Sequence, residues 1–277
     1  MQDSDFRISV FRKASLCRNF ESALYQKIEQ KYIKLPIYLS AGQEYISAVM
    51  SECFKNIKPF IFGQHRCHSL YLSFGGDLVK LIDELLGKES GCTYGMGGSA
   101  SIHSQEINMY GHDGLMGSQV PIAVGSCFSN NKPTIAIMGD ASAEEDYALG
   151  ALGWASTKQL PILFIVEDNN LSILTEKKVR RNWEMDDVAR SFNLNAYQVS
   201  DDPFELREKL SYAFTKPLLL NVNTHRLFWH AGAGMDSEDT FDRYKCEMES
   251  IGDEAKEIHF KTKNLIEETW QKQLEKQ

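Results

Sequence analysis

Two short apolar runs in this 277-residue chain each end in residues able to bind a hard cation. Thr134 to Met138 (TIAIM) is followed by Gly139-Asp140, and Pro161 to Val166 (PILFIV) by Glu167-Asp168-Asn169-Asn170. On neighbouring parallel strands, Asp140 and Asn169 would emerge together at the C-terminal strand ends, where open α/β sheets bind ligands. One carboxylate and one amide oxygen do not make a metal cage. They suit Mg²⁺, which takes near-octahedral oxygen and draws much of it from phosphates, water or a main-chain carbonyl. The pair therefore points to a Mg²⁺-diphosphate, although a Gly-Asp after a strand is by itself more often turn chemistry or a helix cap.

The elements that must carry these residues can be read from periodicity. Near-continuous apolar runs mark parallel strands covered on both faces, so Thr134–Met138 and Pro161–Val166 read as buried strands, with further strands at Ala196–Val199 and Leu218–Val222. Helical spacing is expected over Glu145–Lys158, Met185–Phe192 and Pro203–Phe214. This alternation predicts a doubly wound α/β fold, a mostly parallel sheet flanked by helices. The fold is expected as a single domain over residues 1–277. Residues 1–60 form a helical front end, with Phe20, Leu24, Ile28 and Ile33 at helical spacing and a second helix over Gly42–Phe54. Residues 239–277 form an amphipathic tail (Ile251, Ile258, Leu265, Ile266, Trp270) that could pack on a partner. Between Gly75 and Gly117 lie one helix and a long irregular stretch, GKESGCTYGMGGSASIH, of the kind that is usually functional or disordered.

Composition excludes several classes. A formal charge of −8 and a pI near 5.4 leave no basic footprint for nucleic acid or anionic lipid. The six dispersed cysteines form no C-x-x-C pair, and no apolar segment has the length of a signal or a membrane span. A soluble cytoplasmic protein with reduced thiols is expected. Among single residues, His65 and His68 read first as structural surface histidines, and His225 and His230 lie too far apart to share a helical face as a metal pair. Glu144, Glu145 and Asp146 read as an acidic first helical turn. The GMGGS run reads as a flexible loop, since the dinucleotide fingerprint it faintly suggests needs a preceding strand.

The stretch GDASAEEDYALGALGWASTKQLPILFIVEDNN, from Gly139, resembles the thiamine-diphosphate signature, a GDG opening followed by an asparagine pair. Further segments between about Ala41 and Asp236 resemble the alpha subunits of 2-oxo acid dehydrogenases. They are Gly42-Gln43-Glu44, His65-Arg66-Cys67-His68, Gly95 to Ser99, Gly114-Leu115-Met116-Gly117 with Gln119-Val120-Pro121, and Thr224 to His230. By this resemblance Asp140, Asn169 and the carbonyl of Leu171 hold Mg²⁺, with Gly139, Ala141 and Ser142 alongside in the cofactor site. Arg66 grips the diphosphate, His65 standing beside it in place of the family's tyrosine, and Gly114 and Met116 meet the aminopyrimidine. His230 and His68 inherit catalytic positions, His230 orienting or protonating the carbonyl oxygen of the substrate. Ala141 stands where the family has glycine, and Gly150 where it has glutamate.

The resemblance implies decarboxylation of a small 2-oxo acid and transfer of its acyl unit. The cofactors would be thiamine diphosphate and Mg²⁺. The glutamate that activates the pyrimidine would come from a beta subunit in an assembly of two alpha and two beta chains, with a lipoyl acyltransferase as acceptor. A transketolase-like or carboligating thiamine-diphosphate enzyme of specialised sugar or natural-product metabolism, without a lipoyl partner, is the alternative.

Overall fold

The structure, a computed structural model, describes residues 3–232, 236 and 239–276. Helix α1 (Asp3–Glu29) buries Phe6, Val10, Phe11, Ala14, Cys17, Phe20 and Leu24 along one face, the three-and-four spacing of an apolar stripe. It ends before Ile33, which is buried from the extended segment that follows. Next come α2 (Glu44–Cys53), β1 (Phe60–Phe62), α3 (His68–Ser73), α4 (Leu78–Leu85), β2 (Met109–Tyr110), α5 (Gln119–Asn130), β3 (Thr134–Gly139), α6 (Asp146–Lys158) and β4 (Ile162–Asp168). The hairpin β5 (Leu171–Ser172) and β6 (Thr175–Glu176) runs into the single turn α7 (Lys177–Arg180). The chain closes with α8 (Met185–Ser191), β7 (Asn195–Ser200), α9 (Pro203–Leu210), β8 (Leu218–Asn223), α10 (Arg243–Ile251) and α11 (Asp253–Leu274).

Six strands form one parallel sheet in the order β2-β1-β3-β4-β8-β7. Alternation decides its two faces. Ile135 and Ile137 of β3, Leu163 and Ile165 of β4, and Leu218, Leu220 and Val222 of β8 join the core that contains α1 and α2. Ala136, Met138, Phe164, Val166 and Leu219 point the other way, into a second core with residues of α5, α6 and α8. Burial on both faces is why β3 and β4 read as unbroken apolar runs. The expected doubly wound parallel sheet is therefore observed, with two short edge-side strands, β1 and β2, that sequence periodicity did not reveal. β4 also extends two residues beyond the expected Val166, carrying Glu167 and Asp168 into the sheet.

The amphipathic tail packs on this chain itself. Ile258, Ile266 and Trp270 of α11 are buried in the core shared with α1, and the Trp270 ring stacks on Phe20 at 6.2 Å, while Leu265 faces solvent. The glycine-rich stretch is likewise held in place. Glu84 of α4 is fully buried and accepts the backbone N–H groups of Thr93 (2.7 Å) and Gly95 (3.0 Å) on Oε2, and those of Gly97 (2.8 Å) and Gly98 (3.0 Å) on Oε1. Burial alone would raise this carboxyl, but the backbone donors outweigh it and hold the group below its usual range. The stretch follows a helix, not a strand, so the dinucleotide reading has no structural support.

Candidate active site

β3 and β4 are adjacent and parallel, with Gly139 paired to Glu167. Asp140 leaves β3 as Asn169 leaves β4, and both open into a cavity of about 430 Å³ at the C-terminal end of the sheet, a size ordinary for cofactor sites. His65, Arg66, Gly114, Met116, Gly139, Asp140, Ala141, Ser142, Asn169, Leu171 and His230 all line it. His68 does not. It is fully buried in α3, with Nδ1 3.0 Å from Glu21 Oε1 and Nε2 2.9 Å from Ser99 Oγ, so both ring nitrogens are spent on internal contacts and the catalytic position expected of it has no opening to the cavity.

At one group of walls the donors are oxygen. Asp140 is only 2% exposed, and burial, then the neighbouring Asp168, pushes its carboxyl up to about 6. Its charge is met by Arg180, whose Nη2 hydrogen-bonds Asp140 Oδ2, while Arg181 Nη1 donates to the Asp140 carbonyl at 2.9 Å. Asn169 is oriented by a relay. Its Nδ2 donates to Gln43 Oε1 at 2.8 Å, and Gln43 Nε2 donates in turn to Glu167 Oε2 at 3.3 Å. This leaves Asn169 Oδ1 directed away from Gln43, toward the N–H of Leu171 at 3.0 Å. Among the described residues no group of three or more His, Cys, Asp or Glu side chains is arranged to hold a metal ion. A cation here would complete its shell from amide, carbonyl and ligand oxygens, which is the donor set expected for Mg²⁺ on a diphosphate.

Elsewhere around the cavity the groups are basic, two arginines and three histidines, and Arg66 Nη1 donates to the Leu39 carbonyl. Arg66 is 5% exposed; burial, then the nearby Arg226, lowers its guanidinium to about 10, the signature of a buried cation short of counter-anion. Its Nη2 lies 3.2 Å from His230 Nδ1. A guanidinium can only donate, so Nδ1 accepts and a neutral His230 carries its proton on Nε2. Burial, then Arg66 and Arg226, lowers His230 to about 4, so the ring is neutral at pH 7. His65 has both ring nitrogens buried without a protein partner, and His112 has Nδ1 likewise. Their rings sit 6.0 Å apart, and His65 lies 5.9 Å from His230. Buried polar groups normally have partners, so these orphaned nitrogens beside two arginines describe a site shaped for a polar anion.

Sequence reasoning missed Gln43 and Gln64 as orienting groups, Glu167 as a buried carboxyl, and His112, Arg226 and Arg180 as cavity or site residues. Glu167 is 4% exposed and pushed by burial up to about 7, with Gln64 Nε2 donating to it. Arg226 grips Asp236 through Nε and Nη2, both at 2.7 Å, and Ile173 O at 3.0 Å, tying the loop after β8 to the β5–β6 hairpin. Gln43, in Gly42-Gln43-Glu44, Arg226, in Thr224 to His230, and Glu167, at the tip of PILFIV, had a signal in the sequence; Gln64, His112 and Arg180 act through partners distant in the chain.

The family model described as dehydrogenase E1 component matches residues 12–277. The pyruvate dehydrogenase E1 component subunit alpha-1, mitochondrial, of Oryza sativa subsp. japonica is 28% identical over 240 residues, covering 81% of this chain and 60% of that protein. The mitochondrial alpha subunit of Dictyostelium discoideum is 30% identical over 241 residues, covering 83% of this chain and 63% of its own length. The alpha subunit of Zymomonas mobilis subsp. mobilis is 25% identical, with 83% of this chain and 68% of that protein covered. This chain thus spans about three-fifths of the length of the rice and Dictyostelium relatives. Among solved structures, transketolase from Campylobacter jejuni superposes with a TM-score of 0.60 at 18% identity, covering 100% of this chain and 49% of that one, which establishes a shared fold.

Proposed function

This chain belongs to the dehydrogenase E1 component family, and from that premise we propose that it is the alpha subunit of a thiamine-diphosphate- and Mg²⁺-dependent enzyme that decarboxylates a 2-oxo acid and passes on the acyl unit. The observation that carries the proposal is the convergence of Asp140 and Asn169 from adjacent parallel strands on one cavity that also holds the anion-poor Arg66. Thiamine diphosphate, when bound, supplies an electron sink for the carbanion left by decarboxylation.

The chain's own groups then have distinct tasks. Asp140, Asn169 and the Leu171 carbonyl would hold Mg²⁺, with Gln43 fixing which face of the Asn169 amide is presented. Arg66 and His65 would bind the diphosphate, and Met116 would support the organic ring. His230, neutral and with its proton on Nε2, would donate a hydrogen bond to the substrate carbonyl oxygen, as a neutral imidazole N–H can. A beta subunit supplying the pyrimidine-activating glutamate, an assembly of two alpha and two beta chains, and a lipoyl acyltransferase as acceptor belong to the same proposal. So does cytoplasmic residence, supported by six unpaired thiols. No helix among the described residues is long and apolar enough to cross a membrane, and the net charge of −8 offers nothing to nucleic acid.

Calorimetric titration of the purified assembly with thiamine diphosphate and Mg²⁺ tests the reading. Asp140→Ala is expected to weaken binding at least a hundredfold, about 2.7 kcal/mol; unchanged affinity would refute the metal assignment. Reductive acylation of a lipoyl domain supports the dehydrogenase reaction, whereas formation of a hydroxyketone in its place would favour the carboligating alternative.

A further inference from the structure

We propose that Arg180 is a built-in counter-ion of the metal site, occupying Asp140 in the metal-free chain and leaving it when a divalent cation binds, so that this one arginine sets the site's metal affinity. The inference rests on the reading of Asp140 as a metal ligand.

Asp140 is buried and stands beside a second buried carboxylate, Asp168. A buried carboxylate without a cation is strongly unfavourable. The hairpin β5–β6 and the turn α7 supply the cations. Lys177 Nζ reaches Asp168 Oδ2 at 2.8 Å, Arg180 Nη2 reaches Asp140 Oδ2, and Arg181 Nη1 reaches Glu144 Oε1 at 3.2 Å.

The three contacts are not equally anchored. Arg181 is 7% exposed, lies over the Trp183 ring at 4.6 Å and donates to the Asp140 carbonyl, so it is held whatever happens to the Asp140 side chain. Among the described residues Arg180 has no ring beneath it and no backbone carbonyl partner; its second hold is the Glu144 carboxylate. Its Nη1 lies 2.9 Å from Glu144 Oε1, and its Nε and Nη1, like Nε and Nη2 of Arg181, are buried without a hydrogen bond. The structural arginines of this chain look different. Arg18 places both terminal nitrogens on Asp242 at 2.8 Å, and Arg226 grips Asp236 by two bonds of 2.7 Å. A fork–fork pair gives geometric as well as energetic hold; Arg180 instead divides its two terminal nitrogens between Asp140 and Glu144.

The segment that carries it is held by polar contacts, Lys177 on Asp168 and Glu184 and Arg226 on the Ile173 carbonyl, more than by apolar packing. Ile173, Leu174 and Val179 are 54%, 56% and 71% exposed, so little apolar burial fixes the hairpin tip or the turn. The same segment begins at Leu171, the proposed carbonyl ligand. A divalent ion on Asp140 and Leu171 would supply the charge that Arg180 supplies without it, and two cations cannot share that buried carboxylate without repulsion. Arg180 would then retain Glu144, already 2.9 Å away, as its partner.

The test titrates the full chain, in the assembly in which it purifies, with Mn²⁺ alone, following free Mn²⁺ by paramagnetic resonance. Arg180→Met is expected to tighten Mn²⁺ binding tenfold or more and to lower the melting temperature without metal, the deficit vanishing at saturating Mn²⁺. Arg180→Lys, which keeps the charge, is expected to bind Mn²⁺ within threefold of wild type. The surface control Lys178→Met, whose side chain is 78% exposed, should match wild type. Unchanged or weaker Mn²⁺ binding by Arg180→Met overturns the proposal, as does a chain that cannot fold even in saturating Mn²⁺. Asp140→Asn separates the two levels. If it loses Mn²⁺ while Arg180→Met is unaltered, only this inference fails; if it binds as wild type does, the metal-site reading fails with it.

Discussion

Replacing Glu84 by glutamine should collapse the order of the glycine-rich stretch, because one carboxylate serves four backbone donors. Its two oxygens each take two N–H groups, at 2.7 and 3.0 Å on one and 2.8 and 3.0 Å on the other. Glutamine keeps one oxygen and turns an NH₂ group toward the remaining pair of donors. Two charge-assisted bonds are lost, each worth about 1.5–3 kcal/mol, so Glu84→Gln should destabilise the chain by about 3–6 kcal/mol. The stretch also packs closely on itself: a Cβ on Gly97 would fall 2.2 Å from Ser101 O. The damage would reach the cavity, since Ser99 holds Tyr38 N at 2.9 Å and Ala100 and Ser101 line the site.

Urea unfolding of wild type and Glu84→Gln measures the difference, with protease nicking between residues 91 and 98 as a local readout. The pH dependence adds a signed check. Glu84 is held below its ordinary value of 4.5 in the fold, so its contribution is present above about pH 4.5 and is lost as pH falls through the depressed folded value. The gap between the two proteins should therefore close in acid. A gap below about 1 kcal/mol at pH 7, or one that stays constant into acid, would refute the argument.

Gly42→Ala should dislodge the loop carrying Arg226 and His230: Gly42 has φ +92°, and an added Cβ would lie 2.1 Å from the His225 carbonyl oxygen. A backbone atom cannot yield as a side chain can, so a loss of about 3 kcal/mol or more is expected, read by thermal melting together with weakened cofactor binding; a wild-type melting temperature would contradict it. For pH, His65, His112 and His230 all titrate below their ordinary value of 6.5, His230 near 4, chiefly through burial. The fold binds fewer protons than the unfolded chain between those limits, so these rings make the ligand-free protein less stable as pH falls from 6.5 toward 4. Glu44 and Glu167, raised by burial to about 7, work in the opposite sense, so the histidine contribution is isolated by comparison. The melting-temperature profile of a His65→Phe, His230→Gln double variant should be flatter on its acid side than that of wild type, and parallel profiles would count against the assignment.

The sequence by itself determined the central strands and what stands at their tips. β3 and β4 are covered on both faces, so burial forces unbroken apolar runs, and the residues that end those runs must lie at the sheet's C-terminal edge. Asp140 and Asn169 were legible for that reason, and the segments around Arg66, Met116 and His230 were legible because their residue types recur together as motifs. β1 and β2, at three and two residues, are too short for any period to register. Tertiary structure alone decided the partners. His65 and His68 are three residues apart and chemically identical, yet one presents bare nitrogens to the cavity and the other spends both on Glu21 and Ser99. The hold of Gln43 on Asn169, of Glu84 on the glycine-rich loop, and of Arg180 on Asp140 joins residues with no periodic or local relation. Such pairings depend on which side chains meet in a buried, low-dielectric space, and that is set only when the sheet and its loops have folded.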